Sequence, residues 1–137
     1  MKKTLIMLLL ALPLPLLAQA DMVVVTDSNS TITSLTETEV RQLFSGQLKT
    51  VAGKPVQVLD LPGGERHRED FYRKLMGRSP EQMRAYWTRL VFTGQGKPPR
   101  EVSSTRELTT LVGSGGYIGY LPAEAADDNM RVLYRIQ

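Results

Sequence analysis

Hydrophobic positions along this chain change period several times, and each change predicts an element. MVVVT at 22–26 is an unbroken, largely β-branched run and predicts a first buried strand, with the polar loop DSNSTITS after it. Thr36 with Glu39 is a capping-box pair. It predicts a helix from Glu37 to Ser45, with Val40, Leu43 and Phe44 inward and Gly46 as the stop. Residues 47–54 read as a connecting turn. VQVLDL at 56–61 predicts a second strand, which Pro62-Gly63-Gly64 ends because proline and paired glycines do not continue a ladder. ERHREDFYRKLM then sets Phe71 against Leu75 and Tyr72 against Met76 at i,i+4, one apolar helical face closed by Gly77.

Ser79-Pro80-Glu81-Gln82 combines an N-cap serine, a proline at the first helical position and a glutamine that closes the box. Met83, Tyr86, Trp87, Leu90 and Val91 follow at i, i+3, i+4, i+7 and i+8, so a helix over 80–92 is expected, with Trp87 packing inward. FTGQGKPPREV (92–102) reads as a loop. Ser104 with Glu107 makes a third capping box, for a short helix with Leu108, Leu111 and Val112 inward and Gly113, Gly115 and Gly116 at its end. YIGYL (117–121) and MRVLYRI (130–136) are the last two strands. The order β-α-β-α-α-α-β-β predicts one α/β domain, a mixed sheet flanked by helices. Phe44, Phe71, Trp87, Leu90 and Ile118 should share its core.

The first twenty residues stand apart. Lys2-Lys3, the apolar run LIMLLLALPLPLL and Ala18-Gln19-Ala20 make a secretory signal peptide with cleavage after Ala20, leaving a domain over 21–137. The run is too short and proline-interrupted to span a bilayer, so no stable membrane insertion is expected after cleavage. No cysteine sits at the junction, so a lipoprotein anchor is excluded, and a periplasmic address follows. With no cysteine anywhere, packing alone must stabilise the fold. Without Lys2 and Lys3 the basic residues exceed the acidic by one, but the charge is uneven. Residues 66–100 hold nine Lys/Arg against three acids, a stretch suited to an anion or an acidic envelope protein. The export address and the core spacing of the aromatics argue against nucleic acid.

Catalytic chemistry is poorly supplied. His67 is the one histidine, which precludes a two-histidine metal site, and no G-x-S-x-G elbow, P-loop or dinucleotide fingerprint occurs. No enzyme, cofactor, metal or catalytic residue is expected. The stretch that could bind something is the glycine turn feeding the basic helix. A helix N-terminus after such a turn presents backbone N–H groups and the positive dipole end to an anion. Gly63, Gly64, Arg66, His67 and Arg68 are therefore the candidate anion-binding residues. Spacing alone favours a solvated basic face, with Glu65, Glu69 and Asp70 supplying the usual acids of a first turn, because glycine turns before helices are common.

RQLFSGQ (41–47), PVQVLDLPGG (55–64), the long segment from EDFYRKLM through YWTRLVFTGQGKPPREV (69–102) and GYIGYLP (116–122) together resemble one family. It is the short PBP-like (phosphate ABC transporter substrate-binding-protein-like) periplasmic family, a single-lobe relative of the type 2 periplasmic phosphate-binding proteins. The resemblance covers nearly the whole of 21–137 and implies a single periplasmic-binding-protein-like lobe. At the turn the chain departs from the phosphate binders, which read roughly Arg-x-Asp-Gly-Ser-Gly-Thr there. The matching residues are Asp60-Leu61-Pro62-Gly63-Gly64-Glu65-Arg66, where only Gly63 carries over. Two functions follow from the resemblance. One is weak binding of phosphate or another small anion. The alternative is a periplasmic adaptor, a partner-binding module that has lost solute binding.

Overall fold

The computed structural model describes residues 22–137 and the isolated Pro13; the rest of the predicted leader and its cleavage point lie outside the described residues. MVVVTD has no polar alternation, and a strand of that kind must be covered on both faces. It forms β1 (Met22–Asp27), with Met22 to Val25 at 1% exposure or less. Around it lie β4 (Gln57–Asp60), β5 (Arg100–Glu101), β6 (Tyr117–Pro122) and β7 (Met130–Ile136), in the order β5-β4-β6-β1-β7. β1 runs antiparallel to β6 and β7, while β6-β4 and β4-β5 are parallel, so the sheet is mixed. Four helices flank it: α1 (Glu37–Phe44), α2 (Arg66–Met76), α3 (Pro80–Phe92) and α4 (Thr105–Gly113). This is the expected α/β lobe.

Two short pairings were not expected. The segment read as a connecting turn holds a two-stranded ribbon, β2 (Thr50–Val51) with β3 (Lys54–Pro55), turned by Ala52 and Gly53 at positive φ. β5 lies inside the predicted 92–102 loop. Two-residue strands carry no periodicity, so no sequence pattern announces them. The caps are close to expectation. Thr36–Glu39 and Ser79–Gln82 are complete boxes, and Gly77 ends α2 in the left-handed conformation. At α4 only half the third box forms. Ser104 Oγ accepts the Glu107 N–H at 3.1 Å, but the Glu107 carboxylate goes to the Ser103 N–H at 2.9 Å and to its hydroxyl.

Phe44, Phe71 and Ile118 are fully buried and Trp87 is 9% exposed, all in one core against which Leu90 is partly buried. Phe71 stacks on Tyr120 at 3.7 Å, and Phe44 meets both rings edge-on. Trp87 explains how α3 docks. Its ring lies on Gly46, where an added Cβ would come within 2.9 Å of it, and Gly46 also has φ +77°. The neighbouring Tyr86 hydroxyl donates to the Ser45 carbonyl at 2.6 Å. At the end of α3 Val91 departs from expectation, being 54% exposed, and Phe92 beside it is 92% exposed. Eight residues of helix rotate a side chain by about 80°, so Val91 lies well round from Met83. Leu111 is likewise only half-buried, and Leu108 and Val112 carry the inward face of α4.

The polar loop between β1 and α1 is anchored more firmly than its composition suggests. Ile32 and Leu35 are buried, and the Leu35 N–H donates to the Leu133 carbonyl at 3.0 Å. Leu133 is the extra residue where the β1–β7 register shifts between Val24 and Val25. The Arg131 guanidinium donates to the carbonyls of Ser28, Ser30 and Ile32 at 3.0, 2.6 and 3.2 Å. The loop thereby covers β7, the long edge of the sheet, against pairing with another strand. Replacing Arg131 by alanine should lower unfolding stability by about 1–3 kcal/mol through the loss of these charge-assisted bonds. Urea denaturation of both proteins measures this, and an unchanged midpoint would show that the loop needs no such anchor.

Candidate functional site

The site is assembled where β4 ends. VQVLDL brings Asp60 to the last position of the strand at 3% exposure, and a carboxylate so placed needs donors from several directions. α2 supplies two of them. Tyr72 donates its hydroxyl to Asp60 Oδ2 at 2.7 Å, and Arg68 Nη2 lies 3.6 Å from the same oxygen. From β6, Tyr120 donates its hydroxyl to Asp60 Oδ1 and accepts the Leu61 N–H at 3.3 Å. Burial pushes the Asp60 pKa up, with the Arg68 charge and the two phenols opposing the shift. Both phenols are held well above their usual range by burial beside that carboxylate, so they remain donors at neutral pH.

One turn further along, the glycines meet the edge of the sheet. The parallel register of β4 and β5 sets Glu101 beside Asp60. Glu101 Oε1 accepts the Gly63 N–H at 2.8 Å, and Oε2 lies 3.4 Å from Arg68 Nη1. The same Nη1 donates to the Leu61 carbonyl at 2.9 Å. The Gly63 N–H, helped by Arg68, holds the Glu101 pKa below its usual range against the opposing effect of burial. One guanidinium is thus shared between two carboxylates at the mouth of the turn.

A cleft of about 670 Å³ opens beside these groups. Asp60, Gly63, Gly64, Arg68, Tyr72 and Glu101 line one side; Met83, Arg84, Trp87, Val91 and Phe92 from α3, with Pro98 and Pro99, line the other. Of the five residues that sequence reasoning singled out, Gly63, Gly64 and Arg68 meet here. Arg66 and His67 are not among the lining residues. The Arg66 side chain is 89% exposed and 4.0 Å from Asp70. Two N–H groups in the first turn of α2 are already used, since Glu65 Oε2 accepts from His67 N at 2.7 Å and Arg68 N at 3.2 Å. That carboxylate is what makes a cationic first turn tolerable against the helix dipole.

Sequence reasoning missed Asp60, Tyr72, Tyr120 and Glu101 as site residues. An aspartate ending an apolar strand was the available signal, because a charge in that position must find partners. Among the described residues, no group of three or more His, Cys, Asp or Glu side chains is placed to hold a metal ion, and no helix is long and apolar enough to cross a membrane.

No family model and no curated protein matches the sequence. Solved structures do match. An ABC-type phosphate transport receptor from Vibrio cholerae superposes with a TM-score of 0.64 at 16% identity, over 83% of this chain and 46% of the receptor. The chain has the fold of a phosphate-receptor lobe. A protein assigned as a phosphate ABC transporter substrate-binding protein, with bound phosphate, from Clostridium perfringens gives the same TM-score and identity over 83% of this chain and 45% of its own. A phosphate-binding candidate from Planctomyces limnophilus follows at 0.56 and 15% identity, over 83% and 41%. The lobe described here therefore spans less than half the length of the receptors it resembles.

The opposite pKa directions of Asp60 and Glu101 give a signed expectation. Burial holds the folded-state pKa of Asp60 above 3.8, so protonation favours the folded state. The stability this contributes is full below the unfolded value and is lost as pH rises through the folded one. Asp60→Asn removes that component and leaves Glu101 in place. Comparing unfolding free energies between about pH 3 and pH 7, wild type should gain on the variant as pH falls. A difference that stays flat, or runs the other way, would mean Asp60 is not held in a pKa-raising environment.

Proposed function

We propose that the protein is an exported, non-enzymatic, solute-binding-protein-like lobe that binds a phosphate-like oxyanion weakly at the glycine turn. The observation that carries this reading is that the Gly63 N–H and Arg68 already hold a carboxylate between them. A backbone N–H and a guanidinium converging on one oxyanion group is the chemistry that phosphate requires. The bound phosphate of the Clostridium perfringens relative lends the class of ligand. Gly64, at φ +85°, shapes the turn, while Arg66, next to His67, adds positive field from the first turn of α2. Export rests on the leader over 1–20, with Asp21 as the first residue of the periplasmic protein.

Affinity should be on the order of micromolar to millimolar and should fall with added salt, because the site is in contact with water and ion pairs there are weak and screened. Calorimetric titration with phosphate and with sulfate tests this. Arg68→Gln should remove binding, whereas Arg66→Ala should weaken it only slightly. Equal binding by all three proteins would place the ligand elsewhere. Intact-mass measurement on periplasmic protein should give a chain beginning at Asp21.

A second reading is favoured by one specific feature, the exposed Val91 and Phe92 on the far wall of the same cleft. An apolar pair held in water beside a charged turn suits a protein surface better than a small ion. In that reading the lobe is an envelope adaptor. Arg41, Arg73, Lys74 and Arg78, around a neighbouring groove of about 460 Å³, would meet the partner's acidic side chains. Absence of phosphate and sulfate binding at millimolar ligand would select it.

A further inference from the structure

We infer that Glu101 is the resident occupant of the oxyanion position at the glycine turn, and that an incoming anion binds by displacing it. The inference rests on the reading of Gly63 and Arg68 as an anion seat. Glu101 arrives there by sheet register, not by chance of rotamer. β4 and β5 pair Leu59 with Arg100 and Asp60 with Glu101, which sets two carboxylates side by side at the sheet edge. Asp60 turns into the core and anchors Arg68 from behind, while Glu101 stays outside with its side chain 55% exposed. Its two oxygens divide between the two donors of the seat, Oε1 on the Gly63 N–H and Oε2 toward Arg68. The N–H groups of His67 and Arg68 are capped by Glu65, and Arg66 faces Asp70.

A tethered carboxylate competes with free ligand as an intramolecular partner, at an effective concentration that dilution does not change. The apparent dissociation constant is then the intrinsic one divided by the fraction of molecules whose seat is open. Displacement itself is easy to accommodate. Glu101 sits in a two-residue edge strand with water beside it, so its carboxylate can leave the turn without opening the core. Asp60 remains behind Arg68 when it does, so the guanidinium keeps one partner and its position. Glu101 thereby sets the threshold for anion binding: any ligand must hold Gly63 and Arg68 better than a carboxylate already in place.

Calorimetric titration with inorganic phosphate distinguishes the possibilities, using the full chain as wild type, Glu101→Ala, Glu101→Gln and Glu124→Gln. Glu124 lies in an exposed single turn of 3-10 helix (Ala123–Ala125) away from the cleft, so its variant removes the same charge without touching the seat. Glu101→Ala should bind at least about tenfold more tightly than wild type, as expected if the seat is open in about a tenth of wild-type molecules or fewer. Glu101→Gln should fall between them, since its amide oxygen still accepts the Gly63 N–H. Glu124→Gln should match wild type. If Glu101→Ala melts well below wild type, Glu101→Gln, which keeps the hydrogen bond, carries the comparison alone. Equal, measurable affinity in wild type and the Glu101 variants would overturn the displacement while leaving the anion seat standing. Equal tightening by Glu124→Gln would overturn it in favour of a general charge effect. Weaker binding by Glu101→Ala would make Glu101 a positioning group for Arg68 and overturn its role as occupant. No binding by any of the four at millimolar phosphate would remove the anion seat itself, and the displacement with it.

Discussion

A carboxylate buried at the end of a strand is expensive unless donors surround it, and around Asp60 three side chains from two elements do so. Tyr72 and Arg68 come from successive turns of one helix face, and Tyr120 from the neighbouring strand. Meeting the carboxylate fixes the position of α2 against the sheet, and hence the turn that joins them. The aromatic packing serves the same end, since Phe71 stacks on Tyr120 and Phe44 closes on both. Removing Asp60 would leave Arg68 and two phenols to find new partners. Removing a phenol would leave a buried carboxylate short of a donor. Groups coupled in this way do not contribute independently.

That anchor also decides which of the clustered basic residues belongs to the site. Arg66, His67 and Arg68 are consecutive, so on a helix they point about 100° apart. Only Arg68 shares the inward side with Tyr72, four residues on, and only Arg68 reaches Asp60. Arg66 points to water and its i+4 acid. A run of positive charge in the sequence thus resolves into one working guanidinium and a solvated remainder. The turn's electrostatics follow from carboxylates as much as from cations, with Glu65 on the helix amides and Glu101 on Gly63.

The parts of the fold that could be read in advance were those with a period or a cap. Four helices and the long strands announce themselves through i,i+4 faces, Ser or Thr caps and β-branched runs, and the structure places them within a residue or two. The misses share another physical origin. β5 has no pattern of its own and exists because β4 lends it hydrogen bonds; Glu101 enters the site through that tertiary pairing. Tyr72 and Tyr120 read as core aromatics, which they are, and nothing local distinguishes a phenol whose hydroxyl meets a carboxylate 12 or 60 residues away. Val91 misread for the opposite reason. Its spacing fits an inward face, but the body of the protein ends before the helix does.

The self-occupied turn is understandable as a consequence of working in water. In an enclosed site, desolvation strengthens the attraction between an oxyanion and its donors, and a cationic seat can stay empty until its ligand arrives. Here the mouth of the turn is wet, with Glu101 and the end of α3 exposed, so each ion pair is worth little. A guanidinium between two carboxylates is stable there without any ligand, because its charge is satisfied from both sides. The same arrangement subtracts from whatever an anion could gain. Under the proposed reading, seating Glu101 on Gly63 and Arg68 keeps the geometry of an oxyanion seat and subtracts from its affinity. Under that reading the fold of a phosphate-receptor lobe and weak anion binding are compatible in one lobe, with the difference residing in a single side chain delivered by an edge strand.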